Sequence, residues 1–131
     1  MCSEQKFFIC ETCGNLVGMI QSGGVPIFCC GKPMKELVPN TTDAAVEKHV
    51  PVIEVDGNNV TVKVSSTTHP MTKEHHIAWV YLMTEQGGQR KCLAVDGEPV
   101  VKFALNDDDK VISAYAYCNL HGLWKAAVIF K

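Results

Sequence analysis

Cys118 and His121 stand three residues apart in the run Tyr117-Cys118-Asn119-Leu120-His121-Gly122-Leu123-Trp124-Lys125. From one tight turn they can reach a single metal ion, the thiolate as a soft donor and the imidazole as a borderline one. Such a pair suits iron, copper or zinc, but two donors do not complete a site. A second group of possible ligands lies near the start: Cys10-Glu11-Thr12-Cys13, then, after fifteen intervening residues, Cys29-Cys30. Four thiolates at this spacing point to a tetrahedral S4 site holding zinc or a single iron. A pair of disulfides is the competing reading. Adjacent cysteines do not readily bond each other, and a module this small has little core without a crosslink, so the metal is preferred.

The elements around these thiols are short. Cys10-x-x-Cys13-Gly14 reads as a knuckle in which Gly14 lets backbone amides turn toward the sulfurs. Residues 16–20 and 25–28 read as two strands joined by the turn Gln21-Ser22-Gly23-Gly24, a hairpin that would return the second cysteine pair to the first. The adjacent pair Cys29-Cys30 departs from the doubled C-x-x-C of zinc ribbons. Its two side chains must splay, which disfavours structural zinc and leaves room for redox iron. The motifs Cys10-x-x-Cys13-Gly14-Asn15 and Cys29-Cys30-Gly31-x-Pro33-Met34 resemble desulforedoxin, a family of small Fe(Cys)4 proteins.

Composition bounds the rest. The chain has 131 residues, 47% hydrophobic and 20% charged, which is globular. A net charge of -2 argues against a nucleic-acid partner. No apolar run approaches the roughly 20 residues of a membrane span. Phe7-Phe8-Ile9 is too short for the apolar region of a signal peptide, so a cytoplasmic protein is expected. In that setting a count of seven cysteines points to metal binding rather than disulfides.

Residues 1–38 form the small cysteine module and residues 39–131 an all-β domain. Pro39-Asn40-Thr41-Thr42-Asp43 reads as a linker and residues 44–49 as a turn of helix. Segments 52–55, 60–64, 77–84, 90–95, 99–104, 110–117 and 124–130 are rich in Val, Ile and aromatics and separated by turn residues. Val60, Val62 and Val64 alternate with Thr61 and Lys63, the period of a half-buried strand. Seven such strands predict an antiparallel, immunoglobulin-like β-sandwich. Cys92 and both tryptophans, Trp79 and Trp124, are expected in its core, Cys2 free, and Asp107-Asp108-Asp109 in a solvated turn.

All five histidines fall in this domain and outside the predicted strands: His49, His69, His75, His76 and His121. Loop ends at the rim of a sandwich can gather ligands without disturbing its core. If four imidazoles joined Cys118 on one divalent ion, an octahedral position would stay open opposite the sulfur. An open position argues for chemistry rather than structural zinc.

The motifs Glu47-Lys48-His49-Val50-Pro51, His69-Pro70-Met71-x-x-x-His75 and Cys118-Asn119-Leu120-His121-Gly122-x-Trp124-Lys125 resemble those of superoxide reductases. With the cysteine module in front, the resemblance is to the two-iron type, the desulfoferrodoxins. It implies two mononuclear non-haem irons. One would be held by Cys10, Cys13, Cys29 and Cys30. The other would have His49, His69, His75 and His121 as equatorial ligands and Cys118 as the axial one. The pattern selects His75 over its neighbour His76. It implies one-electron reduction of superoxide to hydrogen peroxide, an external rubredoxin-like electron donor, a role in detoxification and a homodimer. Lys48 would attract superoxide, and Glu47 would take the sixth position once product has formed. The resemblance also implies an acidic residue two before the axial cysteine, where this chain has Ala116. Two other classes compete: a non-catalytic two-iron electron carrier, and a zinc-ribbon interaction module joined to a binding sandwich.

Overall fold

The computed structural model describes residues 3–64 and 67–128, apart from the side chain of Glu47. Two compact units divide the chain, residues 2–38 and 39–131. Cys2 lies outside the described residues.

In the first unit β1 (Lys6–Ile9) pairs antiparallel with β2 (Leu16–Met19), and β3 (Phe28–Cys29) with β4 (Lys32–Pro33). The short β5 (Lys35–Glu36) lies on the other side of β1, giving the order β2-β1-β5. The expected hairpin between residues 16–20 and 25–28 does not form. Each cysteine pair instead sits at the tip of its own hairpin. The physical reason is local. Pro26 has no amide to give a ladder, whereas Phe7 on β1 is buried and supplies the apolar contact that β2 needs. Among the described residues of this unit only Phe7, Cys10 and Met34 are buried.

The second unit is a sandwich of seven antiparallel strands. One sheet has the order β10-β7-β6, built from β6 (Pro51–Asp56), β7 (Asn59–Val64) and β10 (Val100–Ala104). The other has the order β12-β11-β8-β9, built from β8 (Ile77–Thr84), β9 (Gly87–Cys92), β11 (Val111–Cys118) and β12 (Gly122–Ala127). The alternation along β7 is realised: Val60, Val62 and Val64 are 0%, 0% and 1% exposed and share the core with Phe103 of the same sheet and Val80, Leu82 and Ala114 of the other. Burying each such side chain contributes about 1.5–3 kcal/mol. Trp79 and Trp124 are both buried as expected.

Cys92 corrects the sequence reading, because it is exposed and accepts from Arg90 Nη1 at 3.0 Å. It ends β9, the edge strand of its sheet, where no further strand covers it. From the same strand Gln89 Nε2 and Lys91 Nζ donate to Ala104 O and Lys102 O, so side chains satisfy β10 carbonyls that no strand pairs. The aspartate run is a turn, with Asp109 Oδ1 accepting from the backbone amides of Gln86 and Lys110.

Antiparallel pairing brings several strand ends together. The start of β6 pairs with the end of β7 through Pro51 and Val64. The end of β11 pairs with the start of β8 and the start of β12, with Cys118 opposite Ile77 and Gly122. The segments before β6, between β7 and β8, and between β11 and β12 therefore share one end of the sandwich, and all five histidines lie on them.

The stretch read as a linker is tied down. Asn40 N donates to Leu123 O, its Nδ2 donates to Lys125 O, and its Oδ1 accepts from Lys125 N, so one side chain imitates a strand on the edge of β12. Its φ of 63° is left-handed, which asparagine tolerates better than other non-glycine residues. Replacing Asn40 with Ala should cost the sandwich about 2 kcal/mol, from two lost hydrogen bonds and the strained φ. Asn40→Gly should cost less. Urea unfolding followed by the fluorescence of Trp79 and Trp124 measures both.

Candidate metal centres

The donor atoms of Cys10, Cys13, Cys29 and Cys30 all lie within 4.8 Å of one another. The first pair is shaped by Gly14, whose amide donates to Cys10 O at 2.8 Å, and whose φ of 83° closes the knuckle. The second pair solves the problem of adjacent cysteines through the backbone. Cys30 adopts φ 53°, a left-handed conformation that costs a non-glycine residue roughly 1–2 kcal/mol. Cys13 Sγ lies 3.6 Å from Cys29 Sγ, and Asn15 Nδ2 donates to Cys29 Sγ.

Two of the thiols, Cys10 and Cys30, are shifted in opposite directions. The backbone N–H of Cys13, followed by that of Thr12, pulls Cys10 down to about 6, against the opposing effect of burial. Cys30 is pushed up to about 12, first by Cys13 and then by Cys10. One proton leaves readily and the last is held by the other sulfurs, the electrostatics of a donor set made for a cation.

The second cluster is assembled from three segments. A 3-10 turn, Val46–Lys48, delivers His49 just before β6. The loop between β7 and β8 carries His69 and His75, and the turn between β11 and β12 carries His121 beside Cys118. Ring centroids of successive neighbours lie 4.7 Å (His49–His69), 4.7 Å (His69–His75), 5.0 Å (His75–His121) and 4.9 Å (His121–His49) apart. Each of these pairs is close to perpendicular, at 78° to 89°. His49 and His75 stand 6.4 Å apart with planes inclined by 29°, so they face each other across the ring. The donor atoms of His49, His75, His121 and Cys118 lie within 4.8 Å of one another, and His69 completes the circle next to His49 and His75.

Hydrogen bonds assign the nitrogens. His49 Nδ1 is 2.7 Å from Ala45 O and His69 Nδ1 is 2.6 Å from Pro70 O. A carbonyl can only accept, so both Nδ1 atoms carry protons and both Nε2 atoms offer lone pairs. His121 turns its Nδ1 inward, 3.1 Å from His49 Nε2 and 3.9 Å from Cys118 Sγ. His69 Nε2 and His75 Nε2 are buried with no hydrogen-bond partner. Buried nitrogens without a donor are costly unless a cation takes their lone pairs. The residues therefore fit a metal ion, and four imidazoles with one thiolate suit iron better than the four-coordinate geometry of structural zinc.

Burial, more than any charge, lowers His69 to about 4, with His49, His75 and His121 adding to it. His75 is lowered by burial, then by His121, His49, His76 and Lys48. These two rings are neutral at pH 7, as ligands must be. Cys118 is fully buried, which raises its thiol, while the amides of Leu120 and His121 pull it down.

His76 is turned out of the ring, its Nδ1 meeting Thr72 O at 2.9 Å. Lys48 is exposed at the end of the 3-10 turn. The backbone of Glu47 lies in the same turn, and its side chain is outside the described residues. Trp124 stacks on His49 at 4.8 Å and 26°, and its Nε1 donates to His121 O at 3.1 Å, so it braces two ligands at once. Ala116, opposite Trp124 in the ladder, is fully buried in the core. Asn119 and Thr72, which hold the His75 loop, were not singled out from sequence. The position of Asn119 between two ligands was the available signal.

An all-β chain with a four-thiolate module and a rim of four imidazoles around a buried thiol is a two-centre, non-haem metalloprotein. Residues 41–127 match the desulfoferrodoxin family, and residues 2–37 match the desulfoferrodoxin N-terminal domain. A desulfoferrodoxin homolog from Archaeoglobus fulgidus is 43% identical over 126 residues, covering 96% of this chain and 99% of that protein. The desulfoferrodoxin of Nitratidesulfovibrio vulgaris is 42% identical over 126 residues, covering 96% and 98%. The crystal structure of the superoxide reductase from Treponema pallidum superposes with a TM-score of 0.81 at 48% identity, covering 95% of this chain and 99% of that one. The chain belongs to the desulfoferrodoxin family. Its two donor sets match the two iron centres of that family.

The depressed His69 has a thermodynamic consequence for the metal-free protein. Below about pH 6.5 the unfolded chain takes up a proton that folded His69 refuses until about pH 4. Stability should therefore fall as pH drops through that window. Thermal unfolding of metal-free protein should show a shallower decline in a His69→Gln variant than in the parent.

Proposed function

We propose that the protein is a superoxide reductase, with Cys10, Cys13, Cys29 and Cys30 holding one iron and His49, His69, His75, His121 and Cys118 holding the reactive one. The observation that carries this reading is the ring of four inward-facing imidazoles over a buried thiol, with two orphaned Nε2 atoms. The chemistry a ferrous ion supplies when held there is one electron, which with two protons converts superoxide to hydrogen peroxide.

The remaining steps belong to side chains. The imidazoles contribute no charge and Cys118 a single negative one, so the loaded centre keeps a net positive charge that favours a small anion. The thiolate of Cys118 donates electron density from within the core, where water does not compete for its lone pairs. Lys48, one residue before His49, adds a mobile ammonium at the site's edge. Its charge already acts on His75. It attracts superoxide and orients the water that delivers protons. Glu47 is assigned the displacement of product. A rubredoxin-like protein would return the electron. The two units then have separate roles: residues 39–131 react with superoxide, and residues 1–38 hold an auxiliary redox iron. A homodimer is supported by Ile20, Val25 and Phe28, which are 95%, 73% and 64% exposed on the small unit. The reading places the protein in a reducing compartment, the cytoplasm, where thiolates stay available to hold iron.

Iron-loaded, reduced protein exposed to a pulse of superoxide should be oxidised at a rate near the diffusion limit, with one peroxide formed per electron. Slow oxidation would favour the electron-carrier reading instead. Lys48→Ile should slow the encounter about tenfold or more at low ionic strength and flatten its dependence on salt, because the lost contribution is steering. An unchanged rate removes Lys48 from the mechanism.

A further inference from the structure

Asn119 lies between Cys118 and His121 in the chain, yet it directs its polar atoms at the loop that carries His75. Its Nδ2 donates to Glu74 O at 2.9 Å, its Oδ1 accepts from His76 N at 2.8 Å, and its own N donates to His76 O at 3.2 Å. These bonds stand where the sheet is interrupted. The β8–β11 ladder steps from Tyr117 opposite Trp79 to Cys118 opposite Ile77, leaving Ala78 as an extra residue. Ala78 O turns to the other neighbour and accepts from Leu93 N. Such a bulge re-aims the strand that follows it and releases its register. Beyond it, the side chain of Asn119 supplies two of the bonds that reconnect the strands.

Elsewhere the loop is tied to β7 and β8, with His69 N donating to Val64 O and Ile77 N to Met71 Sδ, and Met71 packs against the core. Thr72 N donates to His75 O, and Thr72 Oγ1 accepts from His75 N. They close the loop on itself and leave open where it sits against β11. Asn119 is also exposed, so its amide contributes connection and little packing.

We propose that Asn119 is a positioning residue that fixes the His75 loop against the Cys118 turn, and so sets how the thiolate and that imidazole meet one ion. This rests on the metal-site reading above. It predicts a residue whose loss disturbs the centre far more than the fold, since single hydrogen bonds at an exposed side chain contribute little to stability.

The test compares iron-loaded parent, Asn119→Ala and Asn119→Asp. Three quantities are read: the thiolate-to-iron charge-transfer band, the midpoint potential of the histidine-cysteine centre, and its iron affinity against a chelator. The absorption of the four-cysteine centre in the same molecules is the internal reference. In Asn119→Ala the band and potential should shift and iron affinity should fall about 10- to 100-fold, the range for partners that orient ligands. Asn119→Asp keeps the acceptor for His76 N but turns a charged oxygen toward Glu74 O in place of the donor, so its band and potential should also depart from the parent's. An Ala variant with the parent's band, potential and affinity overturns the proposal. If that variant does not fold, an Asp variant indistinguishable from parent overturns it equally. A parent lacking any thiolate charge-transfer band overturns the site reading, and this role falls with it. A normal parent beside a silent variant overturns the role of Asn119 alone.

Discussion

Four imidazole nitrogens and a thiol are turned toward one another at the rim of the sandwich, and this arrangement governs what surrounds it. His49 and His121 share one hydrogen bond, but the Nε2 atoms of His69 and His75 have no partner, and burial removes the water that would satisfy them. The carbonyls of Ala45 and Pro70 hold the outer nitrogens of His49 and His69, which prevents the rings from flipping to relieve the crowding. Trp124 closes over His49 and grips the His121 carbonyl. The fold stores an arrangement that only a cation makes favourable, and stability is sacrificed for preorganisation.

The sandwich can carry that cost because its core lies apart from the ligands. Val60, Val62, Phe103 and Leu82 pack between the sheets whether or not an ion is bound. The antiparallel order then does the gathering, since strand ends that pair must lie at the same level. The candidate ligands at positions 49, 69, 75, 118 and 121 come from three separate segments, and no local turn could collect them all. Cys118 belongs to both worlds, as the last inward residue of β11 and a member of the apolar cluster.

Much of this was legible in the sequence for physical reasons. All seven sandwich strands were readable because β-branched alternation and turn residues are local signals. The histidines were readable as loop residues for the same reason. Pairing was less legible. Residues 16–20 looked ready to pair forward with 25–28, and the competing partner, Lys6–Ile9, was recognisable only once Phe7 was known to be buried. Cys92 was misplaced because an edge strand and a central strand carry the same alternation. Spacing could not separate His75 from His76, adjacent residues whose side chains diverge. Nor could it show that Asn40 and Asn119 act as pieces of strand, since an amide side chain imitating a peptide leaves no periodic trace.

The two centres depend on their ions in opposite ways. In the small unit one of only three buried described residues, Cys10, is itself a ligand, so removing the ion removes part of the core. Binding energy there is folding energy. In the sandwich the ion completes a site that strands, carbonyls and an indole have already shaped. Loss of iron should therefore loosen the first unit as a whole, while in the second it leaves the scaffold standing and the Nε2 atoms of His69 and His75 without a partner. A reactive centre needs its geometry set before substrate arrives, and a scaffold that is stable without the metal can impose that geometry on it. A thiolate set that folds around its own ion has less need of such a scaffold, and about 37 residues suffice for it.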